Sequence, residues 1–304
     1  MSAAGSANCR LAHADGTMAC MRKETRPFDL VVLDLDGTIL DLFRHTAITP
    51  RVQATIARVQ AAGIPVTIGT GRTLDYVRGY IGPLEITTPV ITTQGAVIGD
   101  PVTGHVLAEQ DIPLAEARAI AAWIDEMAPV SVFYFLDETG RTHIVQNRHG
   151  PEPDLYDHVF GTPRTLVGPF ASLLTDDSAH PPIKFITVND PRMEPDYAPL
   201  LKTRFADRLT ITRTHPQLVE GTAQGIDKGQ GVRTLCAMLG IDPQRVLAIG
   251  DNDNDIPMLE AVGFGVAMGE SSPGLRAVAD WVAPPIEEDG AAVALARWVL
   301  GEEE

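Results

Sequence analysis

Val31-Val32-Leu33-Asp34-Leu35-Asp36-Gly37-Thr38 closes an apolar, β-branched run with two aspartates one residue apart, then a glycine and a threonine. The run, taken from Asp29 to Leu33, reads as a buried parallel strand. Asp34 then sits at the strand's carboxyl edge, where open α/β sheets hold their ligands. Gly37 lacks a Cβ and permits a sharp turn against a bound group. Thr38 adds a hydroxyl and a backbone N–H. Two carboxylates about 4 Å apart repel by roughly 4 kcal/mol at an effective dielectric of about 20, so an arrangement that keeps them together suits a bound cation. By itself the stretch also fits a plain strand end with an Asp-Gly turn.

The flanking chain narrows the choice. Thr49-Pro50 reads as a helix start, with Val52, Ile56 and Val59 on one face and Gly63 as its stop. Ile64 to Ile68 is a second short strand, ending in Gly69-Thr70-Gly71-Arg72. Strand, helix, strand is a right-handed βαβ unit. It brings Thr70 towards Asp34 if the two strands are neighbours, with Thr70, Gly71 and Arg72 suited to an anion. A third strand, Thr88 to Thr93, leads into Gln94-Gly95.

From about residue 99 the rhythm changes. A hairpin at Val102–Val106, a helix from Pro113 to Met127, strands at Val130–Leu136, Thr142–Gln146, Ile183–Val188 and Leu209–Arg213, and a helix near Pro195–Phe205 suggest a separate α+β unit. Leu218 to Gly221 returns to the first unit. Asp227-Lys228-Gly229 precedes a helix closed by Gly240, and the strand Arg245–Ile249 ends in Gly250-Asp251-Asn252-Asp253-Asn254-Asp255. A helix from Ile256, a strand Phe264–Met268, a helix at Ser272-Pro273, a short strand Trp281-Val282 and a final helix capped by Asp289 complete the chain. The expected fold class is α/β: a doubly wound, mostly parallel Rossmann-like sheet with an inserted α+β cap domain. The divisions are a disordered tail at 1–27, core at 28–98, cap at 99–219 and core again at 220–304.

Composition bounds the partners. The 304 residues carry 24 Lys and Arg against 40 Asp and Glu, a net charge of −16. Nucleic acid and anionic membranes need a basic footprint and are not expected. Cys9, Cys20 and Cys236 form no C-x-x-C pair, which fits a reduced, cytoplasmic compartment. The first 26 residues lack a signal peptide's unbroken apolar core, and Met1, Met18 and Met21 all remain open as the translation start. Monomer and homodimer are equally open.

Two acid clusters thus end apolar strands far apart in the chain, with a Thr-Gly-Arg and a helix-leading lysine at similar positions. In that order, Asp34-Leu35-Asp36-Gly37-Thr38, Thr70, Lys228 and Gly250-Asp251-Asn252-Asp253-Asn254-Asp255 resemble the four motifs of the haloacid dehalogenase superfamily. The inserted unit and Gly265-Val266-Ala267-Met268-Gly269 are similar to its Cof-type branch, with a type-II cap. The resemblance implies a phosphatase in which Mg²⁺ is held by Asp34, the Asp36 backbone carbonyl and Asp251, with Asp255 behind them. It implies Asp34 as nucleophile, forming an aspartyl-phosphate, and Asp36 as general acid and base. Leu35, Thr70, Gly71, Arg72 and Lys228 would bind the phosphoryl group, and Asn254 would orient Lys228 or the phosphate. Asp253 reads as a solvated turn residue.

Gln94-Gly95 stands where Cof-type members commonly have Asn-Gly, and Gly269-Glu270-Ser271 where they often have Gly-Asn-Ala. Both departures bear on substrate preference. Arg44, His45, Arg148 and His149 are candidates to face the substrate, or else surface polar residues. The expected reaction is hydrolysis of a small phosphorylated metabolite, a sugar phosphate first. A phosphomutase or phosphotransferase would share all four motifs. The non-enzymatic alternative is a phosphorylatable switch like a receiver domain, or a metabolite sensor; a receiver has no inserted cap, and Asp36 favours turnover over a stable phosphoryl-aspartate.

Overall fold

The computed structural model describes residues 27–302 except 42–46, 151–156, 158–159, 162, 190–194 and 216. All but Pro27 of the expected tail at 1–27, with Cys9, Cys20, Met18 and Met21, and the candidates Arg44 and His45 lie outside the described residues.

Strand β1 (Leu30–Leu33) lies within a five-stranded parallel sheet. Its neighbours are β2 (Val66–Ile68) on one side and β12 (Val246–Gly250) on the other; β13 (Phe264–Ala267) and β14 (Trp281–Val282) continue beyond β12. Every residue of β1 is buried because helices cover both faces. Val31 and Leu33 pack with Ile56 and Val59 of α1 (Pro50–Ala61) and Leu295 of the last helix, Gly290–Trp298. Leu30 and Val32 point the other way, onto Val232 and Leu235 of the helix Lys228–Leu239 and Met258 of the helix Ile256–Glu260. The chain leaves β1 towards β2 and later returns on the opposite side at β12. The strand order therefore reverses between β1 and β12, which opens a crevice at their carboxyl ends. Parallel register pairs Leu33 with Ile249, so Asp34 and Gly250 emerge at the same level.

Helix starts follow the local chemistry. The Thr49 hydroxyl accepts from Val52 N, Ser272 from Leu275 N, and the Asp227 carboxylate from Gln230 N. Asp289 departs from expectation. Its backbone is left-handed and its side chain makes no cap bond; it instead accepts a 2.6 Å hydrogen bond from Thr49 Oγ1 and ties two helix starts together.

The second sheet is six-stranded: β10 (Leu209–His215), β11 (Leu218–Ala223), β9 (Lys184–Val188), β6 (Ser131–Leu136), β7 (Thr142–Gln146) and β8 (Arg164–Leu166). Neighbours are antiparallel except β7 and β8. Helices α3 (Leu114–Met127) and α4 (Tyr197–Phe205) cover one face over Phe133, Phe170 and Phe185. The opposite face, with Val132, Tyr134 and Ile186, includes Val97 of the core in its packing.

The expected divisions at 98/99 and 219/220 fall within paired strands. β4 (Val97–Gly99) and β5 (Val106–Glu109) pair next to β3 (Val90–Thr92) in a three-stranded sheet beside the core. β11 stays in the cap sheet through Ala223, because its residues continue the ladders with β9 and β10. Between Arg72 and β3 lies a helix absent from the sequence reading, α2 (Leu74–Ile81), capped by Thr73.

Candidate active site

Asp34 follows β1 directly, with its backbone N–H donating to Ile249 O at 2.9 Å. The residue is only 4% exposed. Lys228 Nζ lies 2.6 Å from Asp34 Oδ1 and 2.5 Å from Asp255 Oδ1. The lysine opens its helix and is itself 1% exposed, so its charge has nowhere to go but onto these carboxylates. Oxygens of Asp34, Asp251 and Asp255 lie within 4.8 Å of one another. Thr38 Oγ1 donates to Asp251 Oδ1 at 3.2 Å.

The electrostatics follow from burial. It pushes the Asp34 carboxyl up to about 7, opposed by Lys228 and reinforced by Asp255. Asp251 is driven well above the carboxylate range, first by burial, then by the charges of Asp34 and Asp255. One of its carboxyl oxygens lies within 4.8 Å of one on Asp34. Two carboxyls this close repel as anions, which favours a proton or a cation beside them. Lys228 is held above its ordinary value: burial opposes its charge, and Asp255 and Asp34 outweigh the burial. Asp255 is already committed. Its second oxygen accepts the backbone N–H groups of Asp251 and Asn252, at 2.9 and 3.1 Å, closing a capping box with Asn252.

Asp36 is held by Arg72, whose Nε donates to Oδ2 at 2.7 Å while the guanidinium lies over the Tyr76 ring. Thr70 is buried, and its Oγ1 accepts from Arg72 N at 3.1 Å. Gly71 O accepts Lys184 Nζ at 2.8 Å. The Leu35 side chain belongs to the apolar core, so only its backbone is at the edge. Asn254 does not sit on Lys228: its Nδ2 donates to Gln94 Oε1 at 3.3 Å. Asp253 is exposed at its turn, accepting from Ser272 Oγ at 2.5 Å. Arg148 is exposed and donates to Ala128 O, and His149 is exposed beside it.

Glycine is required at two points around this cluster. Gly37 has φ +90°, and a Cβ there would lie 2.4 Å from Asp251 Oδ2. Gly95 has φ +92°, and a Cβ there would lie 2.1 Å from Asp227 O. Gly95 also ends a run of positive φ begun by Thr93 and Gln94, a strained backbone that carries Gln94 between core and cap.

The family model for haloacid dehalogenase-like hydrolases matches residues 31–295. The chain belongs to this family. Within this group of hydrolases it is similar to the 5-amino-6-(5-phospho-D-ribitylamino)uracil phosphatase of Bacillus subtilis strain 168, 27% identical over 92% of this chain and 99% of the relative. It is similar also to the phosphoglycolate phosphatase of Methanopyrus kandleri, 29% identical over 88% and 96%. Among solved structures, a haloacid dehalogenase superfamily phosphatase from Bacteroides thetaiotaomicron superposes with a TM-score of 0.74, 25% identity, over 93% of this chain and 99% of that one.

Sequence reading missed the hydrolase's cap-side residues. Lys184 and Glu220 form a buried pair, Nζ to Oε2 at 2.8 Å. Glu220 also accepts from Gln94 Nε2 at 3.3 Å and Thr214 Oγ1 at 2.8 Å. Burial works against the Glu220 charge, yet Lys184 and these hydrogen bonds hold its carboxyl below the ordinary value. Burial draws Lys184 down despite Glu220. The available signal was an ionisable residue inside an apolar strand, Lys184 in Lys-Phe-Ile-Thr-Val and Glu220 in Leu-Val-Glu-Gly. A cleft of about 350 Å³ opens between Arg72, Thr73 and Tyr76 of the core and Tyr134, Thr142 and Lys184 of the cap. No helix among the described residues is long and apolar enough to cross a membrane.

Proposed function

We propose that the chain is a Mg²⁺-dependent phosphomonoester hydrolase that takes the phosphoryl group of a small phosphorylated metabolite, a sugar phosphate first, onto Asp34 and passes it to water. The observation that carries this reading is the buried Asp34 carboxylate 2.6 Å from Lys228 Nζ with an Asp251 oxygen within 4.8 Å, side chains supplied by three separate segments. A nucleophile, a fixed cation and a second carboxylate meet where the strand order reverses.

The residues fit the metal. Carboxylate oxygens of the buried Asp34 and Asp255 and the half-buried Asp251, within 4.8 Å of one another, form a hard donor set, and their mutual repulsion favours a positive partner. Asp34, Asp251 and the Asp36 backbone carbonyl would hold Mg²⁺. Asp255 stays behind them, since Lys228 and two backbone N–H groups occupy its oxygens. When bound, the ion neutralises charge on the phosphoryl group and the nucleophile.

In this reading Asp36 takes up a proton when substrate binds; Asp34 attacks phosphorus, the ester P–O bond breaks, and Asp36 gives that proton to the leaving alkoxide. Asp36 then takes a proton from the water that releases phosphate from Asp34. Lys228, the Thr70 hydroxyl and the Gly71 N–H bind phosphoryl oxygens and stabilise charge in a loose transition state. Asn254 acts through Gln94. We place the cap between about residues 111 and 223, following strand pairing; closed on the core, it excludes bulk water. The cleft volume suits a small molecule rather than a folded phosphoprotein. The two relatives are named for phosphorylated metabolites of unlike shape, which supports a common phosphoryl site with the substrate's body read by the cap.

The test is phosphate release from a panel of phosphorylated metabolites, with Mg²⁺ and with EDTA. The reading expects Mg²⁺-dependent release that Asp34→Asn abolishes. Release that survives EDTA or that substitution contradicts it, and transfer of the phosphoryl group to a second sugar instead of water would make the chain a phosphotransferase.

A further inference from the structure

Lys184 projects from a cap strand and grips the core's Thr70-Gly71-Arg72 loop through one peptide plane. Its ammonium donates to Gly71 O at 2.8 Å. The other end of that peptide unit is the Arg72 N–H, which donates to Thr70 Oγ1 at 3.1 Å. A donor on the carbonyl polarises the peptide and strengthens the bond made by its N–H. With one lone pair engaged by Arg72 N, the Thr70 hydroxyl is anchored and keeps its proton for another acceptor. The grip is fixed from behind. Glu220 Oε2 holds the same ammonium at 2.8 Å, and Gln94 links Glu220 to Asn254 on the far side of the site. The Tyr134 ring lies 4.9 Å from Nζ. Lys184 is 2% exposed and Glu220 6% exposed, so neither charge serves solubility.

We infer that Lys184 is a positioning residue of the reaction: seated on Glu220, it orients the Gly71–Arg72 peptide and so aims the Thr70 hydroxyl at the phosphoryl group only while the cap rests on the core. Cap docking and phosphoryl binding are then one event. The inference rests on the phosphatase reading for its consequence in turnover, and on geometry alone for the state of the loop.

Lys184→Met by itself leaves Glu220 buried without its cation and is open to the objection of misfolding. The informative protein is the full-length double variant Lys184→Met with Glu220→Gln, which removes both charges and keeps an amide beside Gln94 and Thr214. Two quantities are measured on it and on the unaltered chain: kcat and KM for a phosphate ester the latter hydrolyses, and hydrogen exchange of the Arg72 amide against amides of β9. The inference expects kcat to fall about 10- to 100-fold, as for a misplacement of about 1 Å at a reacting group, with KM within about threefold. Arg72 should exchange at least about tenfold faster while β9 keeps its protection. Lys184→Arg, which restores a cation, should recover part of kcat. Unchanged Arg72 exchange overturns the inference whatever the activity, as does a folded double variant with the kcat of the unaltered chain. An unaltered chain that hydrolyses nothing overturns the phosphatase reading, while the exchange result still decides the loop.

Discussion

Gly37→Ala is a one-methyl change at a residue that touches no substrate in this account. The added Cβ would lie 2.4 Å from Asp251 Oδ2 and 2.7 Å from its Cγ, where ordinary contact begins at 3.4 Å. The carboxylate must therefore retreat by about 1 Å, and a displacement of that size at a reacting centre costs on the order of 100-fold in rate. Backbone strain adds to this. Gly37 sits at φ +90°, and a side chain in left-handed backbone costs about 1–2 kcal/mol, a Tm loss of a few degrees. Asp251 does not swing away freely, because the Thr38 hydroxyl holds its carboxylate. Thermal unfolding followed by kcat across a Mg²⁺ titration separates the two effects. The expected result is a folded protein, a weaker Mg²⁺ half-saturation and kcat down by about 100-fold. A Gly37→Ala variant with unaltered Mg²⁺ half-saturation and kcat within a factor of two would refute the placement of Asp251 in the metal set.

Asp36→Ala removes the proposed acid and base but not a metal-binding carboxylate, so Mg²⁺ affinity by calorimetry should persist while phosphate release falls about 10²- to 10⁴-fold; retained release would dismiss Asp36 from that role. The Glu220 carboxyl is held below its ordinary value, with burial opposing and Lys184 prevailing. Its pairing therefore stabilises the fold above the unfolded pKa of about 4.3, and that stability disappears as pH falls through the lower folded value. Melting curves of Glu220→Gln against the unaltered chain should differ at neutral pH and converge in acid; a gap constant with pH would contradict the pair. Thr49→Ala loses both a helix cap and the bond to Asp289, so it should cost about 1–2 kcal/mol in denaturant unfolding, and a change under 0.5 kcal/mol would discount that tie.

Much of this was legible because the decisive residues announce themselves locally. An apolar run ending in acids marks a strand edge, and two such edges, at Asp34 and Asp251, meet once parallel pairing sets Leu33 beside Ile249. Thr49 and Ser272 were readable as caps because an N-cap is a short-range event. What escaped depends on distance or on competition. Lys184 and Glu220 lie on strands whose pairing no local pattern reveals. The division at 219/220 falls inside β11, whose ladder with β10 continues to Ala223, and long-range pairing of this kind leaves no local mark. Asp289 had the composition of a cap, but Thr49 claims its carboxylate. Helix α2 spans only eight residues, with Leu74, Val77 and Ile81 as its buried positions, too short a repeat to stand out beside Gly79 and Gly82. Asn254 was expected to orient Lys228 or the phosphate; its amide donates to Gln94, which the left-handed backbone at Thr93 and Gln94 presents to it.

Acid-quenched turnover with isotopically labelled substrate, followed by mass spectrometry of the peptides, reads the nucleophile directly. Phosphorylation should sit on Asp34, require Mg²⁺ and vanish in Asp34→Asn, while Asp36→Ala still accepts the label and holds it longer. Label on any other residue, or turnover that never marks Asp34, would remove the nucleophile from the strand end where it is placed.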